Sequence, residues 1–235
     1  MPITLLPPVQ RALVIGAHPD DPEFFCAGTV AQWVAQGVTV GYVVVTSGDK
    51  GQPDDWHDSR PFPQVREDEQ RAAAAVLGVQ DVTFLRWPDG EVFDTLELRE
   101  RLTAEIRRFR PDVVLTHDPF TRLYRQHPDH RATGAAALAA AFPASRLGTF
   151  FPNHLAAGLQ PHIVRWAMLF GSDQPNTFVD IHEVFPKKLE ALRCHVSQLG
   201  AFPGGLEQRI RLRAQEAGRT AGLDLAEAFV LVELE

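Results

Sequence analysis

Residues 12–15, Ala-Leu-Val-Ile, form a short unbroken apolar run, the pattern of a strand covered on both faces. A turn rich in Pro and Asp follows, then a helical pattern over 24–36 that Gly37 is placed to stop. Residues 38–46 repeat the strand signature with β-branched side chains. An alanine-rich helix is predicted over 64–77, ended by Gly78, and a third strand over 82–87 that runs into the turn Pro88-Asp89-Gly90. Asp94 followed by Glu97 has the spacing of a capping box, opening a helix to Phe109. Pro111 ends that helix, and 112–116 reads as a fourth strand. Strands alternating with helices of this length imply parallel pairing through right-handed crossovers. The expected fold is α/β, a Rossmann-like doubly wound, mostly parallel sheet with helices on both faces, in three layers.

The second half is less regular. It predicts a helix over 128–141, a loop over 142–161, strands over 163–170 and 178–181, helices over 184–198 and 206–216, and a closing strand over 226–232. With no repeat and no linker, one domain over 1–235 is expected. A chain of 235 residues buries roughly 70–75% of its unfolded surface, so neither disulfides nor a structural metal are needed for folding. The net charge of −7, with no basic stripe, argues against nucleic acid or an anionic membrane as partner. Cys26 and Cys194 form no CxxC pair, which excludes a thiolate zinc site or a disulfide framework. No window holds 18 uninterrupted apolar residues, and the first ten residues lack a cationic segment before an apolar one, so no membrane span and a cytoplasmic location are expected. The apolar stretch around Phe142, Phe150 and Phe151 is a candidate interface for a homo-oligomer.

In open parallel sheets ligands bind beyond the carboxyl ends of the strands. Polar clusters fall there: His18-Pro19-Asp20-Asp21-Pro22-Glu23 after strand one, Thr46-Ser47-Gly48-Asp49 after strand two, His117-Asp118 and His127-Pro128-Asp129-His130 after strand four. Neither GxGxxG nor GxxxxGK[ST] is present. Carboxylates stand where a pyrophosphate would need glycines and amide donors, so the site favours a cation. His18, one of the two aspartates and one of the two later histidines supply two imidazoles and a carboxylate, a catalytic zinc pattern with one position open to water. The same donors serve ferrous iron in oxygenases. Pro128 suits the first helical position, which lets His127 and His130 face one crevice. A lone His after a strand is commonly a surface or capping residue; two His-Pro-Asp tripeptides, each after a strand, are harder to read as coincidence.

His18-Pro19-Asp20-Asp21-Pro22-Glu23 and His127-Pro128-Asp129-His130 resemble the paired HPDDxE and HPDH motifs of the LmbE/PIG-L family, zinc-dependent N-deacetylases of N-acetylglucosaminyl conjugates and related amides. The likeness extends to 47–51, to Arg66, Glu69 and Leu77-Gly78, to 88–90, to His195-Val196-Ser197-Gln198 and to 226–229, nearly the whole chain. The resemblance implies His18, Asp21 and His130 as ligands of Zn2+, with Fe2+ as the other candidate. It implies Asp20 as general base and His127 as a protonated, electrophilic or proton-donating histidine, the substrate being a small N-acetylated sugar conjugate. Asp129 is either an orienting carboxylate for a ligand histidine or a helix N-terminal acid, and Glu23 carries the same ambiguity. Asp49, Arg66, Asp89, Asp118 and Arg125 are candidates for sugar hydroxyls or a distal group, with plain loop structure as the alternative. Some family members carry Tyr where Arg125 stands, which hints here at an anionic substrate group.

His57, His154, His162 and His182 have no motif context and read as structural or surface residues. His195 lies one turn from a predicted helix end and either caps that helix or reaches the cleft. Cys26 reads as packing, and Trp56 with His57 as a candidate lid over a sugar. Two competing functions share these residues: a non-haem iron oxygenase, and a catalytically silent metal- or nucleotide-binding module. A hydrolytic base beside the ligands and the missing glycines weigh against them.

Overall fold

The computed structural model describes residues 8–121, 126–201 and 205–234. Among these, seven strands form one sheet in the order β3-β2-β1-β4-β5-β7-β6. The first half runs β1 (Arg11–Gly16), α1 (Asp21–Ala35), β2 (Thr39–Thr46), α2 (Phe62–Leu77), β3 (Asp81–Trp87), α3 (Leu96–Phe109) and β4 (Val113–His117). After it come α4 (Pro128–Ala139), α5 (Asn153–Ala156), β5 (Trp166–Phe170), β6 (Thr177–Asp180), α6 (Phe185–Leu192), α7 (Leu206–Ala221) and β7 (Ala226–Glu233). Pairing is parallel from β3 through β5, and β7 runs against both β5 and β6. The sheet is mostly parallel with helices on both faces, as its alternating pattern implies.

The unbroken apolar run of β1 has a direct cause. Ala12 and Val14 enter a core shared with α1, α2, α6 and α7, while Leu13 and Ile15 enter a second core shared with α3 and α4. Each side chain therefore meets a helical layer whichever way it points.

Several boundaries differ from the expectation: α7 runs on to Ala221 rather than 216, β5 begins at Trp166 rather than 163, and four further differences have identifiable causes. Helix α1 begins at Asp21, not near 24, because Asp20 takes a left-handed backbone (φ 96°, ψ −24°) that turns the chain straight into the helix. Helix α3 is capped by Thr95, whose side chain accepts the Leu98 N–H at 3.2 Å; Asp94 instead pairs with Arg99, so the N-cap falls one residue later and, with Leu98 at the third helical position, no reciprocal capping box forms. The predicted loop over 142–161 includes a cis Phe142–Pro143 bond and the short α5. Its carbonyls at Ala144, Ser145, Leu147 and Phe150 accept from the buried Arg107 guanidinium, a long-range anchor that local patterning does not reveal. The helix expected over 184–198 stops at Leu192 and is followed by a 3₁₀ turn at Val196–Ala201.

Two glycines set how closely helices approach the sheet. A Cβ on Gly134 of α4 would stand 2.3 Å from the His117 carbonyl oxygen at the end of β4. A Cβ on Gly28 of α1 would stand 2.5 Å from Ile181. The first of these contacts brings the N-terminal turn of α4 against the carboxyl edge, beside the loop that follows β1. No helix among the described residues is long and apolar enough to cross a membrane.

Candidate metal centre

Three side chains meet at the carboxyl edge between β1 and β4. His18 Nδ1 lies 3.2 Å from His130 Nε2 and 3.6 Å from Asp21 Oδ2, and His130 Nε2 lies 3.2 Å from Asp21 Oδ1. A tetrahedral zinc with bonds of about 2.1 Å separates its donor atoms by about 3.4 Å, so this donor set fits a single ion of that size. His18, His127 and Asp129 form a second cluster of potential donors. It is the poorer host: both Asp129 oxygens accept backbone N–H groups, from Gly90 at 2.7 Å and Val92 at 3.3 Å, and His127 Nδ1 accepts the Asp129 N–H.

Neighbours orient each donor of the first set. Asp21 Oδ2 accepts the N–H groups of Ala17 (2.9 Å) and His18 (2.7 Å) and stands 3.1 Å from His117 Nε2. Burial opposes ionisation of Asp21, but the charges of His130 and His117 and the hydrogen bonds from their rings hold it well below the usual carboxylate range. Burial, reinforced by the nearby His130, pushes His117 down to about 4, so its ring is neutral and donates to Asp21. The His117 ring also stacks on His130 at 3.9 Å. His18 Nε2 points the other way, 3.2 Å from Asp89 and 3.3 Å from Asp129. Burial disfavours the His18 imidazolium, yet the surrounding carboxylates raise it to about 12. The cluster therefore attracts positive charge strongly, as a cation site must.

Asp20 follows a separate course. Its backbone N–H donates to Gln70 Oε1 at 2.8 Å, and its carboxylate lies 3.2 Å from Arg66 Nη2. The same guanidinium donates to the Pro19 carbonyl, fixing the strained turn from beneath. Burial pushes Asp20 up to about 6, against the pull of Arg66 and His195. Left-handed backbone at a residue with a Cβ is uncommon, and here a buried arginine and glutamine hold it.

A cavity of about 480 Å³ joins these groups; His18, Asp20, Arg66, Asp89, His127 and His130 all line it. His127 caps α4, its Nδ1 accepting the Asp129 N–H at 3.2 Å. Burial and the neighbouring His18 and His130 lower its pKa. Asp89 Oδ2 accepts the Lys50 N–H, and Asp49 Oδ1 accepts the Asp89 N–H, which tightens the loops after β2 and β3 around the opening.

Glu23 and Asp118 lie elsewhere. Glu23 is fully buried, accepting from Gln70 Nε2 at 3.0 Å and lying 3.1 Å from His195 Nε2, so it ties α1 to α2 and to the segment after α6. His195 is thus buried behind Asp20, neither an exposed cap nor in the cavity. Asp118 accepts the Phe120 N–H in its own turn and does not line the cavity. Arg125 lies outside the described residues. Cys26 is buried, its thiol donating to the Pro22 carbonyl.

Sequence reasoning gave no role to His117 or Gln70. The signal for His117 was its place as the last residue of a strand at the ligand-binding edge. Gln70 stands one helical turn after Arg66 on α2, so both reach the Asp20 turn from one face.

An α/β sheet with two imidazoles and a carboxylate converging at its carboxyl edge, and a second carboxylate beside them, is an arrangement that fits a metal-dependent enzyme. A family model described as PIG-L, GlcNAc-PI de-N-acetylase, matches residues 13–141. Diacetylchitobiose deacetylase of Thermococcus kodakarensis is 34% identical, over 95% of this chain and 84% of that protein. The 1D-myo-inositol 2-acetamido-2-deoxy-alpha-D-glucopyranoside deacetylase of Mycobacteroides abscessus is 30% identical, over 83% of this chain and 84% of that protein. Among solved structures, the Pyrococcus horikoshii N,N'-diacetylchitobiose deacetylase in complex with its inhibitor MPG superposes with a TM-score of 0.88 at 32% identity, over 95% of this chain and 84% of that one. The chain belongs to the PIG-L/LmbE deacetylase family, whose relatives act on N-acetylglucosamine conjugates.

Proposed function

We propose that the protein removes the N-acetyl group from an N-acetylglucosaminyl conjugate, using one divalent cation held by His18, Asp21 and His130. Zinc suits this donor set best, and ferrous iron is the alternative. When bound, the cation supplies a Lewis acid that polarises the amide carbonyl and makes a water more acidic.

The chain's own groups account for the remaining steps. Asp20 takes a proton from water as the water oxygen bonds to the carbonyl carbon. His127, whose Nδ1 accepts the Asp129 N–H, carries its proton on Nε2 and donates from there to the carbonyl oxygen as charge grows there. The resemblance implied the same proton-donating role for His127, as an imidazolium. Asp20 then returns its proton to the nitrogen as the C–N bond breaks, leaving acetate and a free amine. Arg66, hydrogen-bonded to the Asp20 turn, keeps that carboxylate aimed into the cavity.

The observation that carries this reading is the divergence of two adjacent carboxylates. Both line the cavity, but Asp21 is buried with its oxygens against His130 and His117, whereas Asp20 is held by Arg66 with a pKa of about 6, suited to a base near neutrality. The test measures metal content together with acetate release from di-N-acetylchitobiose. The reading expects Asp21→Ala and His130→Ala to lose metal, and Asp20→Ala to retain metal while losing about 10²–10⁴-fold in turnover. Full turnover in Asp20→Ala, or metal retained in both ligand variants, overturns it.

A further inference from the structure

A second cavity of about 880 Å³ lies beside the first, between the loop after β2 and the turn after α6. Gly51 and Gln198 line both, and Gln198 Nε2 donates to the Gly51 carbonyl at 3.3 Å, so the two spaces share one wall. Trp56 forms the aromatic part of the outer cavity. Its backbone N–H donates to the Pro53 carbonyl at 3.1 Å, and its ring makes an edge-on contact with Phe62 at 4.8 Å and 83°. Phe62 itself is buried at the start of α2, the helix that also carries Arg66 and Gln70.

Half of the polar side chains that line it are carboxylates, beside His57, Arg60, Ser197 and Gln198. The carboxylates are Asp55, Asp58, Asp68 and Glu69; Arg60 pairs with Asp58 and Asp68, and Glu69 accepts from the N–H and hydroxyl of Ser197. This surface repels anions. A cavity that offers an indole together with carboxylate, hydroxyl and amide groups suits a neutral ring with C–H groups on one face and hydroxyls around its edge.

We infer that this outer cavity is a binding subsite for the second polyhydroxylated ring of the substrate, a sugar residue or a cyclitol, with Trp56 as its stacking platform. The inference rests on the deacetylase reading and adds to it the part of the conjugate that the metal centre does not touch. Trp56 acts on binding alone, since it lies outside the cavity that holds Asp20 and His127.

The test compares N-acetylglucosamine, di-N-acetylchitobiose and N-acetylglucosaminyl-inositol as substrates of the zinc-loaded protein and of Trp56→Ala and Trp56→Tyr. It also titrates each ligand against tryptophan fluorescence. The wild-type protein is expected to prefer one or both two-ring substrates over the monosaccharide by about tenfold in kcat/KM. Trp56→Ala should erase that preference through KM, keep monosaccharide turnover within about twofold, and remove the fluorescence change. Trp56→Tyr should restore most of the preference. Which two-ring substrate gains identifies sugar or cyclitol. Equal kcat/KM on one and two rings in the wild type, or an equal loss on all substrates in Trp56→Ala, overturns the subsite and leaves the deacetylase reading standing. Absence of acetate release from every N-acetylated sugar overturns the deacetylase reading, and the subsite falls with it.

Discussion

Asp20 carries two local penalties. Its backbone sits at φ 96°, and its carboxylate is held mainly by burial at about 6, above the ordinary 3.8. A carboxyl group whose folded pKa exceeds its unfolded value favours the folded state at low pH. That support is complete below about 3.8 and is lost as pH rises through about 6. The difference amounts to up to about 3 kcal/mol against folding at pH 8. Asp20→Asn removes the charge and keeps a residue that tolerates left-handed backbone. In metal-free protein the variant should melt several degrees higher than wild type at pH 8, and at nearly the same temperature at pH 4. An equal shift at both values would show that the gain has nothing to do with ionisation. Catalysis should depend on the same group in the opposite sense. With saturating metal, kcat/KM should fall about tenfold per pH unit on the acid side of a limb at or below about 6, because the protonated carboxyl cannot accept a proton from water. A flat profile down to pH 4 with metal still bound would remove Asp20 as the base.

Single contacts between elements decide whether those residues meet. Gly134 lets α4 press against the end of β4, and the turn of α4 just before it carries His130. Gly134→Ala should lower both stability and metal affinity, the latter by at least about tenfold, in the range found when orienting contacts are lost. Gly148→Ala is the control, since the nearest atom to its added Cβ is a flexible Leu155 methyl at 3.5 Å. Unchanged metal affinity in Gly134→Ala would mean that the approach of α4 does not set the site. At α3, Thr95→Ala should cost about 1 kcal/mol in chemical denaturation, as loss of an N-cap does, and Asp94→Ala less, because it gives up only a partly exposed pair with Arg99. A reversed order would restore the capping box read from the sequence. These elements also show what could be read in advance. Strands β1 to β4 were visible because each is apolar enough to be covered by helices. The paired His-Pro-Asp turns were visible because they fall at the strand ends. The 142–161 segment was not, since its order comes from Arg107, a residue of another helix. The contact of His117 with Asp21, 96 positions apart, depends on β1 and β4 lying side by side, which no local pattern specifies.

Across the whole molecule, the far end of the chain closes over its beginning through one buried ion pair. Lys188 of α6 donates to Glu227 of β7 at 2.6 Å, with both side chains 4% exposed. Glu227 also accepts the N–H groups of Gly28 and Thr29 and the Thr29 hydroxyl, while Lys188 donates to the Phe24 carbonyl. The antiparallel strand β7, helix α6 and the middle of α1 thus share one carboxylate and one ammonium. Burying both charges cost solvation, and their pairing with four other partners offsets it. Lys188→Met keeps a long apolar stem but leaves the buried Glu227 carboxyl with only neutral donors. The expected loss is about 3–5 kcal/mol, the range for breaking a buried pair from one side. A double variant, Lys188→Met with Glu227→Gln, should recover part of that loss, since an amide oxygen can still accept the α1 N–H groups and no lone charge remains. Both are read by urea denaturation of metal-loaded protein. A single-variant cost below about 1 kcal/mol, or a double variant worse than the single, would show that the carboxylate and ammonium are not coupled. The clasp would then be packing alone.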